Sequence, residues 1–226
     1  MSEGFLPPLK ERPAVTVDVV IFSLLEDDLK VLLVQRHRPP FLGLWGIPGG
    51  FVYIEESLAA AAARKLDEET GVTDVYLEQL FTFGEPGRDP RTRVITVAYF
   101  ALLPYATIRE LDENARWYSM KKLPELAFDH LEIIQYALTR LRYKLEYTTV
   151  GFQLLPDVFT LSELQKAYEI ILDEKLDKRN FRRKILSAEI LQDTNKMKRD
   201  GEGRPAKLYG YRVDAVTEVK TRRLFP

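Results

Sequence analysis

The chain has 226 residues, a formal net charge of −1 and no cysteine. The lack of cysteine excludes a disulfide scaffold, a thiolate zinc site and a cysteine nucleophile. An apolar fraction of 46% predicts a packed globular protein. No apolar run approaches the roughly 18 residues of a membrane helix, and the first residues lack a signal pattern, so a cytoplasmic protein without a membrane partner is expected.

The first half of the chain alternates predicted strands and turns. Apolar, β-branched runs at 14–22 and 29–36 predict two strands separated by an acidic turn. The sequence GLWGIPGG at 43–50 has four glycines and predicts a turn-rich loop. The alanine-rich run 57–69 predicts a helix that ends at Gly71. Further strand-like runs lie at 75–83, 94–103 and 115–119.

Apolar residues then recur at helical spacing over 131–145, which predicts a long helix that closes the first domain. The segment 148–156 is predicted to be a linker. These features divide the chain into domains at 1–147 and 148–226. The second domain opens on Thr160 and Glu163, which have the spacing of a capping box before a helix.

The C-terminal part has the element order of a DNA-binding domain. A basic helix is predicted over 178–190, and two strand-like runs flank the turn 199–205. The predicted buried face of the basic helix consists of Phe181, Ile185 and Leu186. Helix, turn, basic helix and hairpin follow one another in a winged helix-turn-helix.

Charge is divided unevenly between the two parts. Residues 1–150 carry 17 Lys and Arg against 22 Asp and Glu, a net charge of −5. Residues 178–223 carry 14 basic and 6 acidic residues, a net charge of +8. A basic block behind an acidic body indicates two domains with different partners, while charge alone slightly favours an ordinary solvated surface.

Gly50 begins the most specific pattern in the chain. Glu56, Arg64 and the run KLDEETGV at 65–72 follow it at the spacing G-x5-E-x7-R-E-U-x-E-E-x-G-U, where U is apolar. Eight of the nine defined positions match, and the ninth is Lys65 in place of Glu. The pattern resembles the Nudix box, whose helix presents carboxylates that hold Mg²⁺ against a diphosphate.

The chain as a whole resembles the Nudix-related transcriptional regulators. Stretches typical of that family are GRDPR at 87–91, LAFDH at 126–130, LDKRNFRRK at 176–184 and GRPAKLY at 203–209. The resemblance implies an α+β fold, with a Nudix α/β/α sandwich domain followed by a winged helix-turn-helix domain. It also implies a homodimeric repressor of NAD metabolism that binds a palindromic double-stranded DNA operator and senses ADP-ribose. Two alternatives stay open: an active ADP-ribose pyrophosphatase, and a pentose-sensing regulator of sugar utilisation.

Lys65 distinguishes the repressor from the enzyme. Arg64, Lys65, Glu68 and Glu69 share one helix face, so Lys65 replaces a ligand and adds a positive charge beside the remaining carboxylates. We expect Lys65 to form an ion pair with Glu68 or Glu69. The helix is then predicted to fold but to lose most of its catalysis. We therefore predict no catalytic residue and no required cofactor, with Mg²⁺ the one candidate ion for residual hydrolysis.

The predicted binding residues fall into three sets. Arginines bind diphosphates and a glycine loop brings backbone N–H groups near phosphate, which gives as effector-binding residues Arg36, Arg38, Gly49, Gly50, Arg88 and Arg91. The candidate metal ligands are Glu68 and Glu69. The helix in the major groove and the wing give as DNA-binding residues Lys178, Arg179, Asn180, Arg182, Arg183, Lys184, Arg204 and Lys207.

Overall fold

The computed structural model describes residues 12–73, 76–105, 111–199 and 205–212, so Arg204 lies outside the described residues. The strands are β1 (Ala14–Leu25), β2 (Asp28–Gln35), β3 (Trp45–Gly46), β4 (Gly49–Phe51), β5 (Tyr76–Phe83), β6 (Val94–Leu103), β7 (Ala115–Ser119), β8 (Val158–Phe159), β9 (Leu191–Lys198) and β10 (Ala206–Tyr211). The helices are α1 (Leu58–Thr70), α2 (His130–Tyr147), α3 (Leu161–Leu172) and α4 (Lys178–Ser187). In the described part of the chain, no helix is long and apolar enough to cross a membrane.

The described strands form two sheets. The larger has seven strands, with β3-β2-β1-β6-β5 as successive neighbours, β4 paired with β1 and β7 paired with β2. The smaller sheet has the order β8-β10-β9 and is antiparallel. β1 and β6 lie inside the larger sheet, and their central side chains, such as Ile21 and Phe100, are buried. The apolar runs predicted at 14–22 and 94–103 are therefore strands whose central side chains are part of the core.

The chain folds into two compact units. The described residues of the first unit come from the ranges 1–21, 31–101 and 109–135. Those of the second come from the ranges 22–30, 102–108 and 136–226. The units reflect spatial packing, and the domain boundary between residues 147 and 148 stays a prediction.

Helix α1 has a capping residue at each end, of which the sequence predicts the C-terminal one, Gly71; Ser57, placed inside the predicted helix, is the N-cap. Ser57 accepts a hydrogen bond at its side chain from the Ala60 N–H at 3.1 Å, and Gly71 donates its N–H to the Asp67 carbonyl at 2.7 Å. Gly71 has φ 62°, a left-handed conformation that favours glycine. The small, buried Ala62 lets α1 pack closely, and the helix contacts β4. The glycine loop and the helical part of the pattern that begins at Gly50 therefore lie against each other.

The elements of the predicted winged helix are present in the second unit. Thr160 accepts from the Glu163 N–H at 3.1 Å, while Glu163 accepts from the Thr160 N–H at 2.7 Å, so the predicted capping box is confirmed. The hairpin of β9 and β10 confirms the two strand-like runs. The short strand β8, which joins β10, was not predicted.

The predicted linker 148–156 is wrong. Residues Val150–Leu154 form a 3-10 helix, and Val150, Phe152 and Leu154 are buried. Phe152 packs against Phe159 and Tyr211, with ring centroids 5.5 and 5.2 Å away. The segment therefore belongs to the core of the second unit, because three of its apolar residues are buried and Phe152 has two aromatic partners.

The predicted end and buried face of the basic helix are also wrong in part. α4 ends at Ser187 rather than at 190, and Glu189 has φ 54°, which a right-handed helix does not accommodate. Phe181 and Ile185 are buried, but Leu186 is 46% exposed. Leu186 lies one residue, or about 100°, beyond Ile185 around the helix and therefore turns away from the core.

Candidate effector and DNA-binding sites

The glycine loop is held against the first strand. β4 runs antiparallel to β1, with Gly49 opposite Asp18 and Gly50 opposite Val17. A Cβ atom at Gly49 would overlap the Asp18 carboxylate and would lie 2.8 Å from the Val17 carbonyl oxygen. A Cβ atom at Gly50 would lie 2.5 Å from Cε of Lys65. Close approach to the backbone therefore requires glycine at position 49, whereas at position 50 the contact is with the flexible end of the Lys65 side chain.

Arg64 links the box helix to the loop before it. Its guanidinium donates to both carboxylate oxygens of Glu56, at 2.6 and 3.1 Å, and to Glu68 at 3.0 Å. It also donates to the Phe51 carbonyl at 3.3 Å and lies 4.3 Å from the ring centre of Tyr53. The hydrogen bonds from Arg64 hold the pKa of Glu56 below its ordinary value. Arg64 thus stabilises the loop instead of facing a ligand.

Lys65 forms an ion pair with Glu68, a carboxylate that the Nudix box would use to bind a metal ion. Its Nζ lies 2.5 Å from Glu68, which confirms the predicted pairing and selects Glu68 over Glu69 as the partner. Burial by itself would raise the pKa of Glu68, but hydrogen bonds from Lys65 and Arg64 lower it. Glu68 therefore remains ionised between two cations.

The pKa of Glu69, the neighbouring carboxylate, shifts in the opposite direction from that of Glu68. Burial raises the pKa of Glu69; Lys65 opposes this shift, while the charges of Glu68 and Asp112 add to it. Among the described residues, no group of three or more His, Asp or Glu side chains has an arrangement that could hold a metal ion. A divalent cation would reach Glu68 only by displacing Arg64 and Lys65 from this carboxylate. Glu68 and Glu69 as metal ligands stay a prediction.

Two of the predicted effector arginines meet at one aromatic ring. The guanidinium carbons of Arg36 and Arg91 lie 4.6 and 5.9 Å from the ring centre of Phe128. Arg36 donates to the Pro40 carbonyl at 2.9 Å, and Arg91 is paired with Asp89 at 2.7 Å. Burial and the nearby charge of Arg91 lower the pKa of Arg36. This concentration of positive charge is suited to an anionic ligand.

Arg38 and Arg88 differ from this pair. Arg38 is exposed, and its carbonyl accepts from Arg36 at 3.4 Å. The side chain of Arg88 is 5% exposed and donates to both oxygens of Asp129, at 2.7 and 2.8 Å. Arg88 also lies 3.4 Å from Asp18. An effector would reach Arg88 only by exchange with these carboxylates.

Phe128 was not among the predicted site residues. It has φ 53° and packs edge-on against Phe41, which has φ 62°, with ring centroids 4.8 Å apart. Bulky residues in this backbone region are strained, and such strain concentrates at ligand sites. The stretch LAFDH at 126–130 was the sequence signal, but one sequence does not reveal which of its residues faces the arginines.

On the DNA-binding side, α4 has an acidic N-cap and a basic surface. Asp177 accepts from the Asn180 N–H at 2.7 Å. Lys178 and Arg179 are exposed in the first turn of the helix, and Lys184 is partly exposed in its last. An exposed basic helix of this kind fits the polyanionic major groove.

Two arginines in the middle of α4 have different surroundings. The exposed Arg183 donates to the side chain of Asn180 at 2.8 Å. Arg182 instead donates to the Ser162 hydroxyl of α3 at 3.0 Å, and its Nε is buried without a hydrogen-bond partner. Arg183 therefore faces solvent, whereas Arg182 joins the two helices.

The wing contributes one described cation from the predicted set. Lys207 lies on β10 and pairs with Asp193 of β9 at 2.8 Å. Lys198 on the same hairpin pairs with Glu163 at 2.6 Å and so ties the wing to the first turn of α3. The hairpin is thereby oriented relative to the helices that precede it.

Comparison with known proteins agrees with both parts of this geometry. Residues 14–137 match the NUDIX domain, and residues 151–211 match the NrtR DNA-binding winged helix domain. The chain is therefore a Nudix domain followed by a winged-helix DNA-binding domain, with the predicted α+β fold class.

Two similar proteins align with most of this chain, and a third solved structure aligns with about three fifths of it. The ADPR responsive transcriptional repressor NtrR of Acinetobacter baylyi is 41% identical over 206 residues, which span 88% of this chain and 82% of that protein. The crystal structure of Shewanella oneidensis NrtR complexed with a 27mer DNA has a TM-score of 0.82 and 41% identity, covering 90% of this chain and 95% of that one. The NUDIX domain of S. oneidensis NrtR, in a cocrystal structure with ADP ribose, has a TM-score of 0.53 and 42% identity, covering 61% and 94%. The chain belongs to the family of Nudix-related transcriptional regulators.

Proposed function

We propose that this chain is a transcriptional repressor of NAD metabolism that senses ADP-ribose with a degenerate Nudix domain. The observation that carries the proposal is the ion pair of Lys65 with Glu68, in a Nudix helix whose chain continues into a winged helix. A Nudix box in which Lys65 pairs with the carboxylate of Glu68 is suited to binding ADP-ribose rather than to hydrolysing it. The names of the A. baylyi and S. oneidensis relatives support the same function.

The effector site is proposed at the glycine loop and the arginines around it. Arg36 and Arg91 supply two guanidinium groups at one aromatic ring, and diphosphates bind such groups bidentately. The backbone of Gly49 and Gly50 is proposed to approach the phosphates. Arg38 and Arg88 complete the proposed set of effector-binding residues.

The DNA site is proposed at α4 and the wing. α4 enters the major groove, and Lys207, with Arg204, reaches phosphate or the minor groove. A homodimer would place two such helices about 34 Å apart, which matches adjacent major grooves of a palindromic operator. A cytoplasmic location is proposed with this role.

Thermal denaturation of the full chain tests the effector class. ADP-ribose, NAD, nucleoside diphosphate sugars and free pentoses are added separately, because only a ligand of the native state stabilises it, by about 2.7 kcal/mol at a concentration of 100 Kd. Stabilisation by ADP-ribose supports the proposal. Stabilisation by a pentose alone moves the protein to the sugar-sensing alternative, and no response to any of these compounds contradicts the proposed sensor.

One observation favours the enzymatic alternative. The Nudix pattern is intact at eight of nine positions, and Glu56, Glu68 and Glu69 are all retained. An active pyrophosphatase would hydrolyse ADP-ribose with Mg²⁺ despite Lys65. Measuring the release of AMP by the purified chain separates the two functions.

A further inference from the structure

A buried polar network lies under the glycine loop. Arg88 forms its centre, with two hydrogen bonds to Asp129 at 2.7 and 2.8 Å and a contact of 3.4 Å with Asp18. Burial alone would lower the pKa of Arg88, but the hydrogen bonds to Asp129 and the charge of Asp18 raise it. The guanidinium therefore stays charged between two carboxylates that come from β1 and from the residue before α2.

His130, next to Asp129, extends the network to the loop backbone. Its Nδ1 accepts a hydrogen bond from the Ile47 N–H at 3.0 Å, so the ring proton resides on Nε2, which lies 3.9 Å from Asp18. Burial lowers the pKa of His130, although Asp18 and Asp129 oppose the shift. The imidazole is thus neutral and acts as an acceptor for the loop.

The network reaches both ends of the segment 46–49. At one end, a Cβ atom at Gly46 would lie 2.8 Å from Nδ1 of His130. At the other end, the Asp18 carboxylate occupies the space that a Cβ atom at Gly49 would need. Arg88 joins Asp18 to Asp129, the chain neighbour of His130, so the two contacts belong to one connected network.

We infer that Asp18, Arg88, Asp129 and His130 form a loop brace, a set of positioning residues that fixes the glycine loop for an anionic diphosphate ligand. The inference rests on the proposed function and assigns Arg88, besides its proposed place in the effector site, a role through the loop backbone. A buried ionic network of this kind contributes little net stability compared with apolar residues of the same shape. Its effect is to define one loop conformation, since each buried polar group must keep its partner.

The first experiment varies the acceptor at His130 in the full chain. His130→Asn places an amide oxygen near the position of Nδ1, whereas His130→Leu removes the acceptor. ADP-ribose affinity is measured by calorimetry, and affinity for operator DNA without effector by fluorescence anisotropy. We expect His130→Leu to weaken ADP-ribose binding by at least about tenfold, because a buried N–H loses its partner, while His130→Asn restores most of it. DNA affinity should stay unchanged in both variants.

A glycine pair provides the matched control. Gly49→Ala should weaken ADP-ribose binding, since its Cβ atom collides with Asp18 of the brace. Gly87→Ala should leave it unchanged, because a Cβ atom at Gly87 meets nothing within 4 Å. Equal affinity of wild type and His130→Leu, or failure of His130→Asn to restore binding, overturns the inference.

A spectroscopic measurement separates the inference from the proposed function. In NMR spectra of the wild type, the chemical shift of the Ile47 amide proton should report its hydrogen bond to the imidazole. The shift should remain that of a hydrogen-bonded amide in His130→Asn and should change in His130→Leu, where the bond is lost. If His130→Leu does not fold, Asp129→Asn takes its place, since it keeps the shape and removes the charge that holds Arg88. A normal Ile47 signature without ADP-ribose binding to the wild type refutes the proposed function, and with it the brace as an effector device. ADP-ribose binding with an Ile47 amide insensitive to His130 refutes the brace alone.

Discussion

Lys65 stands at the one defined position where this chain departs from the Nudix pattern. The Lys65 ammonium lies 2.5 Å from Glu68, and that carboxylate also accepts from Arg64 at 3.0 Å. Lys65→Glu removes a cation and restores the carboxylate that the Nudix pattern requires. We expect the variant to gain Mg²⁺ binding and to hydrolyse ADP-ribose at least about tenfold faster than the wild type, a change of about 1.4 kcal/mol in the barrier. Calorimetry with Mg²⁺ and release of AMP measure the two effects.

The control for this variant is Lys65→Gln, which removes the charge without adding a ligand. It should free Glu68 from one partner and yet remain poorly active, because the ion still lacks a carboxylate. Rapid hydrolysis by the wild-type chain would contradict the assignment of the domain as a sensor. Equal activity of the Gln and Glu variants would show that charge repulsion alone, and not the missing ligand, limits catalysis.

His130 makes the first unit sensitive to pH. Burial keeps the native pKa below the ordinary value of 6.5, so the unfolded chain takes up a proton at higher pH than the native one. The stabilisation is therefore complete above the unfolded pKa and is lost as the pH falls toward the native pKa. Between about pH 7 and pH 5, the free energy of unfolding should fall by up to about 1.4 kcal/mol per pH unit on account of this residue.

Urea unfolding followed by tryptophan fluorescence tests this pH dependence. Trp45 and Trp117 are the two tryptophans of the chain, and both belong to the first unit. The variant His130→Asn lacks the titrating ring and should show a shallower slope over the same pH range. Parallel slopes for the wild type and the variant would exclude His130 as the source.

Single residues were predictable where their partners are local. Helical spacing predicted that Lys65 pairs with Glu68 or Glu69, because residues three and four apart face each other. The surroundings of Arg88 were not predictable, since Asp129 and Asp18 lie 41 and 70 residues away in the sequence. A loop arginine looks solvated until the fold brings such carboxylates to it. The hydrogen bond between Ile47 and His130 was hidden for the same reason, since the two residues are 83 positions apart.

At the scale of elements, α4 carries the DNA prediction. Arg182→Ala and Arg183→Ala should each weaken operator binding, by about 1–3 kcal/mol where the side chain contacts a base. Where it contacts phosphate only, the loss should be equal across sequences, and the slope of affinity against salt should fall by about 1. Because Arg182 donates to Ser162 of α3, its replacement should also lower the thermal stability of the winged helix.

Fluorescence anisotropy over a salt series measures these effects, with Ser162→Ala as the control. Ser162→Ala removes the link to α3 but leaves both arginines in place. It should reproduce the loss of stability in Arg182→Ala without the change in salt slope. Unchanged operator affinity in the double variant of Arg182 and Arg183 would remove α4 from the interface.

Elements with strong local signals were predicted well. α1 has a capping serine and a terminal glycine, and α3 has its capping box, so their bounds follow from short-range hydrogen bonds. The 3-10 helix at Val150–Leu154 has no such signal, since the packing of Phe152 on Phe159 and Tyr211 decides its conformation. The short strands β3 and β4 were assigned to a loop because pairing with longer strands, rather than their own residues, makes them strands.

For the molecule as a whole, the distribution of charge and the two family matches divide the chain at about the same place. The acidic first part and the basic C-terminal part carry net charges of −5 and +8 over residues 1–150 and 178–223. The Nudix and winged-helix matches fall in the corresponding regions, at 14–137 and 151–211. The order of elements could therefore be predicted from the sequence. Coupling between a ligand and DNA depends on the difference between two conformations of the protein, and it has to be measured.

The coupling prediction is that ADP-ribose releases the operator. In the proposed homodimer, the effector favours an arrangement in which the two α4 helices no longer match adjacent major grooves, about 34 Å apart. A coupling free energy of about 1–3 kcal/mol lowers DNA affinity 5–150-fold, and linkage requires DNA to weaken ADP-ribose binding by the same factor. ADP-ribose, NAD and L-arabinose are titrated separately into the preformed complex, and ADP-ribose affinity is measured with and without DNA. Release by ADP-ribose with equal reciprocal factors supports the coupling, release by arabinose alone assigns the protein to the sugar-sensing branch, and DNA binding that no compound changes refutes it.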